Sequence, residues 1–459
     1  MAHKHATEAY FDHSSAKRVN TDIVIVEALK REYPNLELLI APESSSNLLA
    51  YASAGHANFS VIEDATHTLP SLVSWKVYLP PARRIDGGAG LLADRIVFGK
   101  FAYRWNGSEF IVYRVDGRDG LASYPQITNY YILTADKHKA EALCVAAGQW
   151  SNELHGEIWV FDSGYWQKNA DLYQSVMKAS WDSVILDEGM KKAIINDHLS
   201  FFDSRETYDN LKVPWKRGII YYGPPGNGKT ISIKAMMHTL YSRKDPIPTL
   251  YVRTLTSYSG PEWSVNQIFS KARQMAPCYL VFEDLDTIVS DNVRSYFLNE
   301  VDGLKNNDGI FMIGSTNHLN RLDPGISKRP SRFDRKYLFP DPDIDQRIAY
   351  CKFWQSKLAS NEEIDFPDEL CTAIADITDE FSFAYMQEAF VAALLAIARK
   401  EKGIDLTYEQ PLMQEMNDGW VGVLEDGHDD LDDLILWVEI KKQIAILRES
   451  MKQKINLYY

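Results

Sequence analysis

Between residues 218 and 317 the chain carries a series of short, almost wholly apolar runs separated by longer segments without internal breakers. The runs are Gly218-Ile219-Ile220-Tyr221-Tyr222, Thr249 to Leu255, Cys278 to Phe282, and Ile310 to Asn317, the last with a polar tip. Strands that do not alternate apolar and polar positions are covered on both faces, as in parallel sheets. The segments between them predict helices over Ile231–Tyr241, Trp263–Met275 and Asn292–Val301, and a further helix over Asp187–Phe202 precedes the first run. Alternating strands and helices predict a doubly covered parallel sheet, with ligands at the carboxyl ends of its strands.

The flanking pattern differs on each side. Asn20 to Tyr33 reads as a helix, capped by Asn20 or Thr21 and followed by Pro34. From Leu36 to Asp136 short β-type runs are broken by Gly, Pro, Asn and Asp. Arg95–Arg104 and Phe110–Val115 flank Asn106-Gly107, a strong hairpin signal. Gln126–Leu133 continues as strand, Lys137–Ala147 as a helix stopped by Gly148, and Glu157–Phe161 as strand, with Gly164-Tyr165-Trp166 starting a linker. After Pro342 helices are expected over Asp345–Ala359, Pro367–Ile377 and Ala384–Glu401. Residues 403–427 are loop-rich and acidic, and Asp429–Asp433 opens a last helix, Leu434–Ile455, with Lys441, Lys442, Lys452 and Lys454 further along it. The expected domains are therefore β-rich 1–176, α/β 177–343, small helical 344–402, and an acidic loop with a helix over 403–459.

Length and composition fit this division. A chain of 459 residues exceeds one ordinary core, and 45% hydrophobic with 24% charged residues is the balance of a soluble globular protein. The net charge of −14 argues against nonspecific nucleic-acid binding, which runs on clustered Lys and Arg. Cys144, Cys278, Cys351 and Cys371 lie far apart, so a reducing compartment and no zinc site are expected. No stretch approaches the ~20 apolar residues of a membrane helix. The opening residues have no apolar segment of signal-peptide type. A cytoplasmic location is expected, with mitochondrial and nuclear ones left open.

The chemistry sits at the ends of the apolar runs. Gly223-Pro224-Pro225-Gly226-Asn227-Gly228-Lys229-Thr230 fits G-x-x-x-x-G-K-[ST] between a strand and a helix, the context of a phosphate-binding P-loop. Its backbone N–H groups, with Ile231 in the first helical turn, would cradle phosphates. Lys229 would reach the β- and γ-phosphates and Thr230 would hold Mg²⁺. Cys278–Phe282 delivers Glu283-Asp284, a Walker B arrangement. Position assigns Glu283 to the metal and Asp284 to the attacking water, the reverse of the usual Asp-then-Glu order. Asn317, at the tip of the last apolar run, could hydrogen-bond the γ-phosphate or the water. Arg329 and Arg332, in Lys328-Arg329-Pro330-Ser331-Arg332-Phe333-Asp334-Arg335, read as surface ion pairs or as transition-state cations.

These motifs together resemble the AAA family of ATPases. The likeness runs from the P-loop through Ser270–Pro277, Glu283–Asp286, Asn299–Leu304, Gly314–Asn317 and Leu322-Asp323-Pro324 to Arg332-Phe333-Asp334. It covers about residues 180–400. The resemblance implies a large α/β subdomain, a small helical lid, ATP with Mg²⁺, and ring assembly, usually hexameric. It also implies Asn317 as first sensor and Arg329 and Arg332 as arginine fingers. Phe381-Ser382-Phe383-Ala384 stands where the family often has Ser-Gly-Ala. Pro214–Gly218 and the Glu-Asp order are similar to the branch that exports the folded Rieske iron–sulfur protein from mitochondria. This chain has no comparable membrane helix, so that branch's location and substrate are not carried over. Leu255–Gly260 matches the pore loop of protein-threading members, where Tyr258 would grip an extended polypeptide or pack in a ring interface.

The expected function is an ATP-hydrolysing, protein-remodelling ring motor, with the β-rich domain recruiting a protein client. The alternative is a nucleotide-dependent oligomeric scaffold with little hydrolysis. A nucleic-acid remodeller is disfavoured by the charge.

Overall fold

The computed structural model describes residues 7, 11–12, 15–16, 20–63, 70–81, 85, 88–117, 127–302, 305–329, 332–361, 363–401 and 429–456. The acidic loop expected over 403–427, Gly303-Leu304 and Pro330-Ser331 lie outside these. The chain divides into two units, Met1–His155 and Gly156–Tyr459.

The first unit contains α1 (Thr21–Glu32), β1 (Glu37–Pro42), α2 (Leu48–Ser53), β2 (Asn58–Val61), β3 (Leu72–Leu79), β4 (Leu91–Trp105), β5 (Ser108–Asp116), β6 (Thr128–Thr134) and α3 (Lys137–Asn152). Asn20 caps α1, its side chain accepting from the Ile23 amide. Every pairing in the sheet is antiparallel, in the order β1-β6-β5-β4-β2, with β3 also on β4. The β4–β5 turn places Asn106 at φ 47° and Gly107 at φ 71°, the two positive angles that a type I′ hairpin needs. Strand periodicity sends Phe101, Tyr103, Val112 and Ile132 against α2 and α3, and Tyr113, Tyr131 and Leu133 against α1. Helix α3 runs on through Gly148, the expected stop, which lies close against the Ser45 carbonyl.

The second unit begins with β7 (Ile158–Asp162), β8 (Tyr165–Asn169) and α4 (Ala170–Met177). It continues with α5 (Glu188–Asp203), α6 (Arg205–Leu211), β9 (Arg217–Tyr222), α7 (Lys229–Tyr241), β10 (Thr249–Val252), α8 (Pro261–Met275), β11 (Cys278–Phe282), α9 (Leu285–Ile288), α10 (Asp291–Asp302), β12 (Ile310–Thr316), α11 (Pro324–Ser327) and β13 (Arg335–Leu338). Its helical part is α12 (Ile344–Leu358), α13 (Asp368–Ile377), α14 (Phe383–Glu401) and α15 (Ile435–Asn456). The sheet order is β13-β9-β12-β11-β10-β7-β8, parallel throughout except for the β7–β8 hairpin. The segment expected to start a linker at Gly164 instead turns back as β8. The sheet therefore draws on residues well before 177, because β7 hydrogen-bonds the outer side of β10.

One face of the sheet packs Tyr279, Val281, Phe311 and Ile313 against Ile194, Phe201, Ile233 and Met237 from α5 and α7. His198 of α5 is fully buried there, stacked on Phe311 at 4.3 Å between ring centroids. Its Nδ1 lies 2.7 Å from the Ile194 carbonyl, so that nitrogen donates, and Nε2 accepts from the Tyr279 hydroxyl at 3.2 Å. Burial lowers the His198 pKa to about 4, keeping the ring neutral.

The helical part has its own core, in which Leu370, Ile374 and Phe390 meet Leu436, Trp437, Ile440 and Ile444 of α15. The last helix is thus an integral member of this bundle. Burial pushes the Glu439 carboxyl up, but Lys400 at 2.5 Å and Lys442 at 3.2 Å outweigh it and hold its pKa below the ordinary value. Asp432, in the acidic run before α15, pairs with Lys441 at 2.6 Å.

Candidate active site

The P-loop leaves β9 at its carboxyl end and passes directly into α7, whose N-cap is Gly228. Gly223, Gly226 and Gly228 all have positive φ, so the loop curls in a way that L side chains resist. Gly226 is also crowded: a Cβ there would lie 2.6 Å from the Ala384 Cβ and 2.9 Å from the Ser382 hydroxyl. Asn227 is buried, and its side-chain amide donates to Asp341 at 2.8 Å. Its own carbonyl oxygen is buried without a protein partner. The Lys229 ammonium donates to the carbonyls of Gly223 and Pro224, each at 2.7 Å. Burial lowers its pKa, against the opposing charges of Asp284 and Asp341. Thr230 and Ile231 are exposed in the first turn of α7.

Strand β11 carries Glu283 and Asp284 to the same edge of the sheet. Glu283 continues the parity of Tyr279 and Val281, the residues facing α5 and α7. One of its carboxylate oxygens, Oε2, accepts from the Tyr251 hydroxyl at 2.6 Å, and Oε1 is buried with no protein partner. Asp284 adopts a left-handed conformation, φ 51° and ψ 52°, and is exposed. Its amide donates to the Ser315 hydroxyl at 3.3 Å. The Thr316 hydroxyl donates to Asp286 at 2.6 Å and accepts from the His318 amide at 2.9 Å. The tip of β12 therefore braces the turn that presents Asp284, and Asn317 follows directly, half-buried.

The two arginines differ. Arg329 is exposed, with Asp302 at 3.7 Å. Arg332 is buried, donates to the Gly325 carbonyl at 2.7 Å, and has its Nε 3.6 Å from Asp302. Burial and then Arg329 lower its pKa, with Asp302 and Asp323 acting the other way. Tyr258 is fully exposed in a turn where the Ser257 hydroxyl donates to the Gly260 carbonyl at 2.8 Å and also meets the Ser264 hydroxyl at 2.9 Å.

The geometry adds residues that motif reading passed over. Asp341 bonds Asn227 across a long sequence separation, three residues beyond β13, and no motif marks it in the sequence. Tyr251 sits in an apolar strand with nothing to mark it. Ala384 stands in an inexact lid motif, and its amide reaches the Gly226 carbonyl at 3.2 Å.

The residues fit a Mg²⁺-nucleotide. Three positive-φ glycines give backbone room, Lys229 supplies a cation, and two buried oxygens, Asn227 Oδ1 and Glu283 Oε1, have no protein partner. Among the described residues no group of three or more His, Cys, Asp or Glu could hold a metal ion. Mg²⁺ in phosphoryl-transfer sites takes most of its ligands from phosphate oxygens and water, so it needs no such cage of side chains.

Residues 219–341 match the family model described as ATPase family associated with various cellular activities (AAA). The match supports an AAA-family ATPase and, with it, nucleotide binding and ATP hydrolysis in general terms. Among the described residues no helix is long and apolar enough to cross a membrane.

Proposed function

We propose that this chain is an ATP-hydrolysing motor that remodels a protein client and works as a ring of identical copies. The observation that carries this reading is the P-loop geometry. Lys229 is held inside the loop by the Gly223 and Pro224 carbonyls, and the first turn of α14 is hydrogen-bonded to Gly226 through Ala384.

Bound Mg²⁺·ATP supplies the phosphoanhydride bond and the metal charge that stabilises its oxygens. The P-loop amides and Lys229 bind the phosphates, and Lys229 exchanges its two loop carbonyls for phosphate oxygens. Thr230 and Glu283 would hold the metal. Asp284 orients the lytic water and accepts its proton, and Asn317 holds that water or the γ-phosphate in line. Arg329 of a neighbouring copy is the better-exposed candidate to offset developing charge. Ser382 to Ala384 belong to a lid over the nucleotide, so that nucleotide state moves the helical bundle. Tyr258, fully exposed, grips an extended polypeptide.

The Pro214–Gly218 lead into β9 and the Glu-Asp order favour the branch similar to the Rieske-protein exporter, but supply no client. Steady-state ATP hydrolysis beside Asp284→Asn tests the reading. Turnover in the parent that falls at least ~10²-fold in the variant, with nucleotide binding retained, is the expected result. Tight binding without turnover in the parent, with nucleotide-dependent oligomers, would replace the motor with a scaffold.

A further inference from the structure

The reversed Glu-Asp order puts the longer carboxylate where the metal would sit. A glutamate has one more rotatable bond than an aspartate, so its head group is less fixed unless something holds it. Tyr251 does so here. In the parallel β10–β11 pair Tyr251 lies opposite Val281, on the face that Val281 and Glu283 share. It therefore starts two residues, ~6.6 Å, below Glu283 along the strand direction. A tyrosine can span that offset, and its hydroxyl reaches Glu283 Oε2 at 2.6 Å. A hydroxyl bonded to a carboxylate donates, so Oε2 is taken. Oε1 remains buried and without a protein partner.

We infer that Tyr251 is a positioning residue for the metal: it clamps Glu283 by one oxygen and leaves the other to face Mg²⁺ or its water shell. The inference rests on the proposed Mg²⁺-ATP site and deepens it. The Tyr251–Glu283 pair adapts this site to a glutamate, since an aspartate at 283 would be one methylene too short to meet the hydroxyl.

The test uses the full chain, a non-hydrolysable ATP analogue, and Mn²⁺ as a spectroscopic stand-in for Mg²⁺. Analogue affinity is measured in EDTA and across a Mg²⁺ titration, and Mn²⁺ binding in the analogue complex by electron paramagnetic resonance. In Tyr251→Phe the EDTA affinity should stay within about twofold of the parent, while the Mg²⁺ and Mn²⁺ affinities weaken ~10–100-fold, the range for losing a partner of a metal ligand. In a Glu283→Asp background the same Tyr251→Phe change should have no further effect on metal affinity. Unchanged metal affinity in Tyr251→Phe would overturn the inference, as would equal losses in EDTA and Mg²⁺, the mark of a general packing defect. An equal effect of Tyr251→Phe in both backgrounds would overturn it too. A parent whose analogue affinity ignores Mg²⁺ would instead overturn the site reading beneath it.

Discussion

The amide of Ala384 donates to the carbonyl of Gly226 across 3.2 Å, joining the first turn of α14 to the middle of the P-loop. The two residues also leave no space between them, since a Cβ on Gly226 would approach the Ala384 Cβ to 2.6 Å. Gly226→Ala meets both this contact and a φ of 83°. A non-glycine residue there carries ~1–3 kcal/mol of strain, and nucleotide affinity should fall about tenfold or more in calorimetric titration. An affinity equal to the parent's would mean that the loop rearranges on binding.

Arg329 and Arg332 should separate in experiment. Arg332→Ala removes a buried donor to the Gly325 carbonyl and a neighbour of Asp302, and should cost ~1–3 kcal/mol in denaturant unfolding. Arg329→Ala, on the surface, should change stability by no more than ~0.5 kcal/mol. Its ATP turnover in the assembled state should nevertheless drop ~10³-fold or more. Equal losses of turnover and stability in both variants would make Arg329 a structural residue as well.

His198 makes stability depend on pH in a defined window. The folded protein holds its pKa near 4, whereas an unfolded chain has the ordinary value of about 6.5. Between those values the unfolded state binds a proton that the folded state rejects, so stability falls as pH falls. From pH 7 to 5 the loss should be ~2 kcal/mol in urea unfolding. Carboxylates held low, such as Glu439, titrate beneath that range. His198→Phe should flatten the curve between pH 7 and 5, even if its overall stability differs.

Trp437 ties the end of the chain to the helical bundle. It is fully buried among Phe390, Ile374 and Ile440. Trp437→Ala should cost ~3–5 kcal/mol, read as a lower-melting transition. Because Ser382 and Ala384 belong to that bundle, nucleotide affinity should fall with it.

Some of this organisation is legible in the residues. Five-residue apolar runs such as Cys278–Phe282 identify buried strands without any structure, and the P-loop identifies the strand edge that matters. Strand β13 is not legible because Arg335-Lys336-Tyr337-Leu338 is half charged: as an edge strand it pairs on one side with β9 and leaves Arg335 and Lys336 exposed. Strand β8 is hidden for the same reason, with Tyr165, Gln167 and Lys168 at the opposite edge. The left-handed turn at Asp284 is not legible, since aspartate enters that conformation more often than most residues but adopts the ordinary regions far more often still. The Tyr251–Glu283 and Asn227–Asp341 bonds depend on strand register and crossover order, which no local pattern encodes.

Strand β7 bears on what can be cut from this chain. A piece limited to the family match at 219–341, or one starting at 177, lacks the partner that hydrogen-bonds Leu250, Tyr251 and Val252 on their outer side. That leaves a bare, apolar, fully formed strand edge, the template on which chains add to one another and precipitate. The smallest portable form of this sheet therefore starts no later than Ile158, and shorter pieces are expected to aggregate however intact their P-loop.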